Sequence, residues 1–511
     1  MPGRTKKATA RVGADDYIVA HGATAADVDG LPRDELPSAE RSERPARPLT
    51  ELGNAERFVQ QHGELVRYAY DWNAWLIWDR RRWVRDPGDA AARLMKQTVK
   101  ALWLEAAHAR TAEERDQLLK HARRSEGEAG IRHALELAKS DLAVRPADLD
   151  ADPWLLNCPN GTLELRTQTL RPHRREDYLT KLTRAPYEPE AWHVMWEMFL
   201  QAAIPDEGAR AYAQRFAGYC LTGSTREEIF VFGRGPAGAG KSTFTEALRR
   251  TWGDYATTAD FGTFLAKKAS DGPREEIARL VGARLVTAIE TRDGQRFAEG
   301  LIKLLTGGDT VAARRLYERT FEFVPQFKLL LGSNYRPHAD ASNEGLWRRL
   351  RELPFPTARL RREDRDETLK ATLTDPEEAG PAILAWAVRG CVRWLADGLG
   401  EPPAVMQATA AYRRDQEPLT DFVADCCRLS PTASIPAQLL RNEYEDWCRR
   451  EGIKLPLSGR AWGNALRALG CVQKRTDTAR LWHGIDLVLT DSSAGAREPG
   501  DDDPVLFGDR R

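Results

Sequence analysis

Residues 235–243 have the residue types and spacing of a phosphate-binding loop. Their sequence, GPAGAGKST, matches the pattern G-x-x-x-x-G-K-[ST] at every fixed position. In such a loop the glycines let backbone N–H groups turn toward phosphate oxygens, and the following helix adds the positive end of its dipole. A lysine at position 241 reaches the β- and γ-phosphates, and a serine at position 242 is a ligand of Mg²⁺. The spacing therefore predicts binding of ATP and Mg²⁺. The predicted phosphate-binding residues are Gly235, Pro236, Ala237, Gly238, Ala239, Gly240, Lys241, Ser242 and Thr243.

The segments on either side of this loop are those that such a site requires. Residues 229–232 are an apolar run typical of a buried strand, and residues 242–250 have the composition of a helix. A phosphate-binding loop lies between a strand and a helix, so this context favours it over a plain glycine-rich turn. After the loop, strand and helix candidates alternate to about residue 355, which predicts an α/β ATPase core.

Three further segments carry side chains that an ATPase needs. Residues 284–290 form an apolar strand candidate that ends in Glu290, the candidate acid for Mg²⁺ and for the attacking water; the alternative is a surface carboxylate. A third apolar run, 327–331, leads to Asn334, where a polar side chain can hold the attacking water or the γ-phosphate. Arg348 and Arg349 follow, at a place where one guanidinium could act as an arginine finger on the neighbouring subunit's nucleotide.

The bulk composition predicts a multidomain protein without a global signature of nucleic-acid binding. A chain of 511 residues with 42% apolar residues can build several packed cores. The formal net charge is zero, so any affinity for nucleic acid must come from local clusters. The 7 cysteines show no CxxC pairing, which favours reduced core residues. No apolar run is long enough to span a bilayer, and we expect a cytoplasmic protein without membrane contact.

The chain is predicted to contain an AAA+-like P-loop core, an α-helical N-terminal domain and a C-terminal winged helix. Residues 68–84 are rich in Trp and Arg and suggest a β-hairpin. Its tryptophans are expected to form a core, although stacking on single-stranded nucleic acid is the alternative. The expected boundaries are a flexible segment 1–50, an N-terminal domain 51–205, the ATPase domain 206–360, a helical extension 361–405, the winged helix 406–490 and an acidic disordered tail 491–511.

Taken in order, these motifs resemble the superfamily 3 helicases of the phage/plasmid primase and poxvirus primase–helicase family. The resemblance covers roughly residues 50–490. It is carried by GPAGAGKST, GARLVTAIE (282–290), IKLLTGGDTVAARRLY (302–317), KLLLGSN (328–334) and LWRRL (346–350), and it continues through DPWLLNCPNGTLEL (152–165), FAGYCLTGS (216–224) and ILAWAVRG (383–390).

The resemblance implies a role for each matched residue. Lys241 and Ser242 would contact phosphate and Mg²⁺, Glu290 would be the Walker B acid, Asn334 the sensor, and Arg348 or Arg349 the finger. It also implies an N-terminal collar, a homo-hexameric ring, and translocation on single-stranded DNA in the 3′→5′ direction. The chain departs from many ATPases in one respect, because the strand ends in the single acid Glu290, with Asp293 as a second candidate.

In this family a hairpin before the sensor strand lines the channel of the ring. Here residues 311–316 and 321–324 predict that hairpin, with Arg319 at its tip. Lys303, Arg314 and Arg319 are therefore candidate contacts to single-stranded DNA, and residues 310–349 carry seven Lys/Arg against four Asp/Glu. The alternative is that Arg314 and its neighbour Arg315 form salt bridges between subunits.

The C-terminal segment has a second basic cluster. Residues 436–483 carry nine Lys/Arg against five Asp/Glu, and three helices followed by two strands resemble a winged helix that binds duplex DNA. Protein contacts are the alternative for such a domain. The candidate DNA contacts of this segment are Arg460, Asn464, Arg467, Lys474 and Arg475.

Together these observations predict an ATP-dependent replicative DNA helicase of a phage, plasmid or integrated element. A separate primase or replication protein is an expected partner. The alternative is an origin-binding initiator ATPase that melts DNA without processive unwinding. Residues 13–22 resemble the end of a primase-type domain, and residues 501–509 combine acids with Leu506 and Phe507 in a tail that could dock a partner or simply be solvated.

Overall fold

The computed structural model describes residues 47–266, 275–290, 295–314, 320–356, 368–416, 418–451, 456–475 and 479–488. Within them the chain divides into two compact units, one formed by residues 47–61 and 94–138 and the other by residues 62–93 and everything from 139 onward. The flexible segment and the acidic tail predicted at the termini lie outside the described residues, except for 47–50.

The helices of the chain, in order, are α1 (Glu51–His62), α2 (Ala90–Ala107), α3 (Ala112–Ser125), α4 (Glu128–Ala138), α5 (Val194–Ala203), α6 (Glu207–Tyr219), α7 (Lys241–Trp252), α8 (Glu275–Ala278), α9 (Glu299–Thr306), α10 (Glu344–Trp347), α11 (Leu369–Thr374), α12 (Gly380–Asp397), α13 (Pro403–Arg414), α14 (Pro418–Cys426), α15 (Ala437–Arg450) and α16 (Gly459–Ala468). The strands are β1 (Val66–Ala69), β2 (Ala74–Trp78), β3 (Trp83–Arg85), β4 (Leu155–Cys158), β5 (Gly161–Glu164), β6 (Thr169–Arg171), β7 (Phe230–Arg234), β8 (Ala256–Thr258), β9 (Leu285–Glu290), β10 (Val311–Arg314), β11 (Thr320–Phe323), β12 (Lys328–Ser333), β13 (Leu350–Pro354), β14 (Cys427–Pro436), β15 (Val472–Arg475) and β16 (Arg480–Leu487).

The smaller unit is helical, as the periodicity of its sequence predicts. Its buried centre contains a polar contact between α1 and α3, in which the Asn54 amide donates to Ser125 Oγ at 2.9 Å and the His121 ring lies 3.0 Å from Asn54 Oδ1. Burial lowers the pKa of His121, so the neutral ring is favoured there. Such contacts fix which helix faces meet, because a mismatch would leave buried polar groups without partners.

The remainder of the segment 51–205 is not helical throughout. It contains two three-stranded antiparallel sheets, β1–β2–β3 and β4–β5–β6. The predicted hairpin around residues 79–82 is confirmed, since Trp78 pairs with Trp83 across β2 and β3. The core interpretation of its tryptophans is also supported: Trp83 is buried, and its ring centroid lies 5.7 Å from that of Trp78 and 6.0 Å from that of Tyr178.

A five-stranded parallel sheet in the order β13–β7–β12–β9–β8 forms the centre of the larger unit. Its inner strands β7, β12 and β9 are mostly apolar runs buried on both faces, as parallel sheets covered by helices require. Helices α6 and α7 pack against the sheet and α12 packs against these two helices, with Phe244, Trp252 and Trp386 in the main core. The fold prediction of a parallel sheet with helices is thereby confirmed.

Two buried basic side chains, Lys328 and Arg284, form hydrogen bonds at the amino ends of the inner strands β12 and β9. Lys328 begins β12, and its ammonium donates to the carbonyls of Thr222, Ser224 and Gln326 at 2.5–3.1 Å. Arg284 precedes β9 and donates to the carbonyls of Leu221, Leu155 and Asp152 at 2.7–3.3 Å. Each cation thus has three carbonyl acceptors in place of water, and it joins the sheet to the preceding segments.

The last unit of secondary structure has its own small core, built around Phe422, Tyr444, Trp462 and Trp482. It contains α14, α15, α16 and a three-stranded antiparallel sheet in the order β14–β16–β15. The three predicted helices and two strands are present, but β14 is not predicted by the sequence. The sequence predicts a first helix over residues 419–429, whereas α14 ends at Cys426 because residues 427–429 and 434–436 pair with β16.

The contacts of Lys328 predict a large loss of stability in Lys328→Met. The substitution removes the three hydrogen bonds that the buried amine donates, which should lower the free energy of unfolding by on the order of 3 kcal/mol. Burial lowers the pKa of Lys328 from 10.5 to about 7. Unfolding therefore takes up a proton between these pH values, and wild-type stability should rise with pH through that window.

Urea unfolding of wild type and Lys328→Met at pH 7 and pH 9 measures both effects, with Lys370→Met at an exposed helical lysine as the matched control. The wild type should gain more stability than Lys328→Met between the two pH values. Equal pH dependence in the two proteins would show that Lys328 keeps its proton in both the folded and the unfolded state.

Candidate nucleotide site and nucleic-acid surfaces

The loop between β7 and α7 has the backbone of a phosphate cradle. Gly238 and Gly240 have φ angles of 85° and 94°, in the left-handed region that residues with side chains rarely adopt. Gly240 is the N-cap of α7, and no side chain caps the helix. The first N–H groups of a helix have no intrahelical partner, so those of α7 are available to an anion. These residues fit a nucleotide phosphate.

Lys241 is the first residue of α7, and its side chain folds back along the loop. Its ammonium donates to the carbonyls of Gly235 and Pro236 at 2.7 and 2.8 Å and to Asn334 Oδ1 at 2.8 Å. The residue is only 6% exposed, and burial lowers its pKa. A phosphate entering the loop would therefore find a cation that is already positioned and only partly hydrated. Ser242, the predicted Mg²⁺ ligand, is exposed at the same helix end.

The parallel register brings the carboxyl ends of three strands to this loop. Ser333 on β12 lies opposite Arg234 on β7 and opposite Glu290 on β9. The loop follows Arg234, and Asn334 follows Ser333, so the loop, Glu290 and Asn334 leave the sheet at one edge. The structure therefore brings Lys241 and Asn334 into contact and places the backbone of Glu290 one strand away. The side chain of Glu290, and Asp293, lie outside the described residues.

The segment after Asn334 is held by a buried ion pair. The Arg336 guanidinium makes two 2.8 Å hydrogen bonds to the Glu352 carboxylate on β13, and Glu352 is 2% exposed. Arg336 also contacts Asp415 at the end of α13, and its guanidinium lies 5.1 Å from the Tyr412 ring centroid. These contacts fix the backbone two residues beyond Asn334, and so they orient the side chain that meets Lys241.

Arg348 and Arg349 lie at the amino ends of the parallel strands, opposite the carboxyl ends that carry the loop. The carbonyl of Arg349 accepts from the amide of Phe230 at the start of β7, four residues before the strand ends at Arg234. At about 3.3 Å per residue this is roughly 13 Å from the loop of the same chain. Both arginines contact Glu228, at 3.4 Å from Arg348 and 2.8 Å from Arg349. The side chain of Arg349 is 8% exposed and that of Arg348 is 65% exposed.

The predicted hairpin before the sensor strand is confirmed in its strands. β10 and β11 are antiparallel, and Arg314 lies opposite Thr320 as the last described pair. Val311 and Ala313 face the core, whereas Ala312 and Arg314 are exposed. The tip, with Arg315 and Arg319, lies outside the described residues. Lys303 is on α9, where its ammonium lies 3.5 Å from Asn343 Oδ1, so it contacts the segment before α10.

The third helix of the C-terminal unit presents its predicted polar residues on one exposed side. Arg460, Asn464 and Arg467 are exposed, and Arg467 donates to Asn464 Oδ1 at 3.1 Å. Beside them runs a groove of 720 Å³ between α15, α16 and the sheet, lined also by Arg441 and Arg480. Lys474 and Arg475 are exposed on β15, next to residues 476–478, which lie outside the described range. The arrangement provides a cationic surface on one helix and one strand.

Sequence reasoning missed several residues of this region. Glu228, the shared partner of Arg348 and Arg349, has no pattern in the sequence that marks it. Arg284 and Lys328 do have a signal, since each is a charged residue at the start of a strongly apolar strand. Arg336 and Glu352 are separated by 16 residues, and only the sheet brings them together.

Comparison with known families divides the chain into two matched regions. Residues 55–205 match the family described as D5 N terminal like. Residues 234–349, which contain the loop, Glu290, Asn334 and both arginines, match a family of unknown function, DUF5906.

Relatives with assigned names come from large DNA viruses. The chain is 28% identical to "Putative helicase L207/L206" of Acanthamoeba polyphaga mimivirus over 56% of this chain and 32% of that protein. It is 27% identical to "Putative helicase 022R" of frog virus 3, over 49% of this chain and 27% of that protein. It is 23% identical to "Putative primase C962R" of African swine fever virus, over 58% and 34% respectively. The chain thus spans about a third of these relatives, and the predicted resemblance to viral and phage-type primase–helicase proteins is confirmed.

Among solved structures, the apo C-terminal region of NrS-1 aligns with 85% of this chain and 98% of its own length, at a TM-score of 0.43 and 10% identity. That score is too low to establish a shared fold. In the described part of the chain, no helix has the length and hydropathy of a membrane span.

The contact between Lys241 and Asn334 predicts two different defects. Lys241→Ala should abolish ATP hydrolysis, because it removes the charge that acts on the phosphates while the backbone supplies the loop. Asn334→Asp keeps the shape but adds an anion 2.8 Å from the ammonium, which should bind the lysine and repel the γ-phosphate. We expect at least about a hundredfold loss of kcat in Asn334→Asp, of the size seen when one catalytic donor is lost.

Steady-state hydrolysis and binding of a fluorescent ADP analogue measure these effects, with thermal melting as the control for folding. Asn334→Asp should lose hydrolysis more than ADP binding, because ADP lacks the γ-phosphate. Turnover near wild type in Lys241→Ala would refute the assignment of the site.

Proposed function

We propose that this chain is an ATP- and Mg²⁺-dependent DNA helicase that acts in replication. The observation that carries the proposal is the meeting of three strand ends at one edge of the sheet. That edge joins an uncapped helix start, the buried ammonium of Lys241 with Asn334, and the strand that ends in Glu290. The names of the viral relatives and the family match over residues 55–205 support a replication role.

In this proposal the chain's own residues bind and orient the nucleotide. The loop amides and Lys241 hold the β- and γ-phosphates, and Asn334 positions the γ-phosphate or the attacking water. Ser242 and Glu290 would hold Mg²⁺, which supplies charge neutralisation on the phosphates when bound. Glu290 is the candidate base for the water. The parallel sheet with the loop-bearing strand inside it supports an AAA+-like core.

The position of the arginines supports assembly into a ring. Arg348 lies on the other edge of the sheet from its own loop, so it can serve only the nucleotide of another subunit. Arg348 is the exposed member of the pair, whereas Arg349 is buried against Glu228 and the carbonyl of Gly345. We therefore assign Arg348 as the finger and Arg349 as the residue that positions it. A homo-hexamer with single-stranded DNA in its channel, moving 3′→5′, completes the proposal.

Two surfaces are proposed to contact DNA. The β10–β11 hairpin would reach single-stranded DNA through Arg314 and Arg319, with Lys303 on the adjacent helix. The C-terminal unit has the helix and strand order of a winged helix, and its exposed Arg460, Asn464 and Arg467 would enter a duplex groove, with Lys474 and Arg475 on the wing. We propose that the helicase is encoded by a phage, plasmid or integrated element and acts in the cytoplasm of a bacterial host. A separate primase would be its partner.

A second candidate is an origin-binding initiator that melts DNA without processive unwinding. The exposed basic side of α16 favours it, because sequence-directed duplex binding needs such a helix. Both candidates hydrolyse ATP, and they differ in strand displacement.

The decisive experiment is displacement of a labelled strand from forked DNA, with DNA-stimulated ATP hydrolysis measured in parallel. We expect displacement in wild type. In Arg319→Ala, displacement and DNA stimulation should fall together while DNA-independent hydrolysis stays nearly unchanged, because the hairpin tip contacts DNA phosphates and not the nucleotide. Stimulated hydrolysis without any displacement in wild type would favour the initiator, and wild-type displacement in Arg319→Ala would exclude this hairpin as the translocating element.

The two arginines provide a further test. Arg348→Ala should lower hydrolysis about 10³-fold or more without loss of thermal stability, since a finger acts on transition-state charge. Arg349→Ala should lower both activity and the melting temperature, because it leaves Glu228 with only its exposed partner. Mixing Arg348→Ala with Lys241→Ala subunits should restore partial activity, as some interfaces then contain an intact loop and an intact finger. No recovery in proven mixed assemblies would contradict a finger that acts between subunits.

A further inference from the structure

A second strongly basic surface lies away from the nucleotide loop. Six cationic residues line a groove of 590 Å³ between the β2–β3 hairpin, the segment 180–184 and the edge of the parallel sheet. We call this surface the basic groove. Its cationic residues are Arg82, Arg85, Lys181, Arg184, Arg249 and Arg279.

The charge of the basic groove is not balanced locally. Among the described residues that line it, Asp254 is the only carboxylate, and it forms a salt bridge with Arg82. Arg249 is paired with Glu246 on its own helix. Arg85, Lys181, Arg184 and Arg279 have no carboxylate within 4.0 Å in the part of the chain that the structure describes. Four unpaired cations on one concave surface repel each other and attract an anion, in a chain whose net charge is zero.

The groove is held in shape by the contacts around it. The Arg82 guanidinium donates to the carbonyl of Thr180, and the Asp254 carboxylate accepts from the amide of Leu182. The amide of Arg184 donates to the carbonyl of Thr251 at the end of α7. These hydrogen bonds connect the hairpin, the segment 180–184 and α7, so the cations are presented by a fixed scaffold rather than by separate loops.

Both tryptophans of the groove are already packed against other side chains. Trp83 is 1% exposed and stacks on Tyr178, so its ring faces are covered. The Trp72 ring is covered by the Arg85 guanidinium, 4.8 Å from its centroid. The groups that the groove offers to a ligand are therefore mainly its cations, and contacts between cations and backbone phosphates carry no sequence information.

We propose that the basic groove binds the phosphate backbone of nucleic acid, as a contact separate from both the β10–β11 hairpin and the C-terminal unit. The repeated negative charge of a nucleic-acid backbone can contact several cations spread over one groove. A single phosphate could contact only a few of them. The groove lies at the amino end of β8, which is the outermost strand of the sheet and three places from β7. The nucleotide loop lies at the carboxyl end of β7, so nucleotide and nucleic acid would not compete for the same site. This binding does not require ATP hydrolysis.

The test is equilibrium binding of a fluorescein-labelled oligo(dT) and of a labelled duplex to the full chain by anisotropy, over a series of salt concentrations. Arg184→Glu/Arg279→Glu reverses two exposed cations that play no part in the nucleotide site. We expect at least about a tenfold weaker binding and a salt slope shallower by about 1.4, since each lost phosphate contact removes about 0.7 on a single strand. Arg184→Lys/Arg279→Lys should retain binding.

The matched control is Arg115→Glu/Arg123→Glu, which makes the same charge change at exposed positions of α3. It should leave affinity within about twofold, because it makes the same change of net charge without altering any residue that lines the basic groove. Melting temperatures and DNA-independent ATP hydrolysis should be unchanged in all of these proteins. A control as damaging as the groove variant would overturn the proposal.

The contribution of the C-terminal unit to binding is distinguished from that of the basic groove by repeating the measurement in an Arg460→Glu/Arg467→Glu background. Separate surfaces should contribute nearly additive losses in binding free energy. Unchanged affinity and salt slope on reversal of Arg184 and Arg279 in both backgrounds would overturn the proposal. Equal displacement by polyglutamate of the same charge would reassign the groove to an acidic protein segment. Nucleic-acid binding should also be measured in Lys241→Ala. Binding that persists in this variant shows that the basic groove acts without ATP hydrolysis, so this proposal can fail or succeed separately from the proposed ATPase function.

Discussion

The parallel register of β7, β12 and β9 is the constraint on which the candidate site depends. Because all three strands run the same way, their carboxyl ends meet, and the loop, Asn334 and Glu290 meet with them. The same register sends the segment before β13 to the opposite edge, where Arg348 and Arg349 lie. One chain therefore separates the candidate phosphate-binding groups from the two arginines, and under the proposed function Arg348 would act on the nucleotide of a second subunit.

The two edges of the sheet differ in how they satisfy their backbone groups. At the amino edge, Lys328 and Arg284 donate six hydrogen bonds to carbonyls of the preceding segments, and no carboxylate among the described residues forms an ion pair with them. Burying two cations costs desolvation energy, which only well-placed acceptors can offset. At the carboxyl edge the first amides of α7 have no such partner. Fixing one edge leaves the other free to bind an anion without loss of strand register.

Local patterns in the sequence predicted the local parts of this structure. The loop spacing, the apolar strands and the hairpin strands at 311–314 and 320–323 follow from residue type and periodicity. The sequence did not predict β14, because residues 427–436 become a strand only by pairing with β16 more than forty positions later. Glu228 and the Arg336–Glu352 pair were missed for the same reason, as their partners are assembled by the sheet. The sequence also does not show that Arg348 is exposed and Arg349 is buried, because burial is set by the surrounding fold and not by the local pattern.

The helix α7 joins the two anion-attracting regions of the larger unit. It begins at Lys241 in the nucleotide loop and ends at Trp252, and Asp254, two residues later, holds Arg82 in the basic groove. Twelve helical residues span about 18 Å and move as one body, since their backbone hydrogen bonds are internal. The nucleotide loop and the basic groove therefore lie at the two ends of one helix.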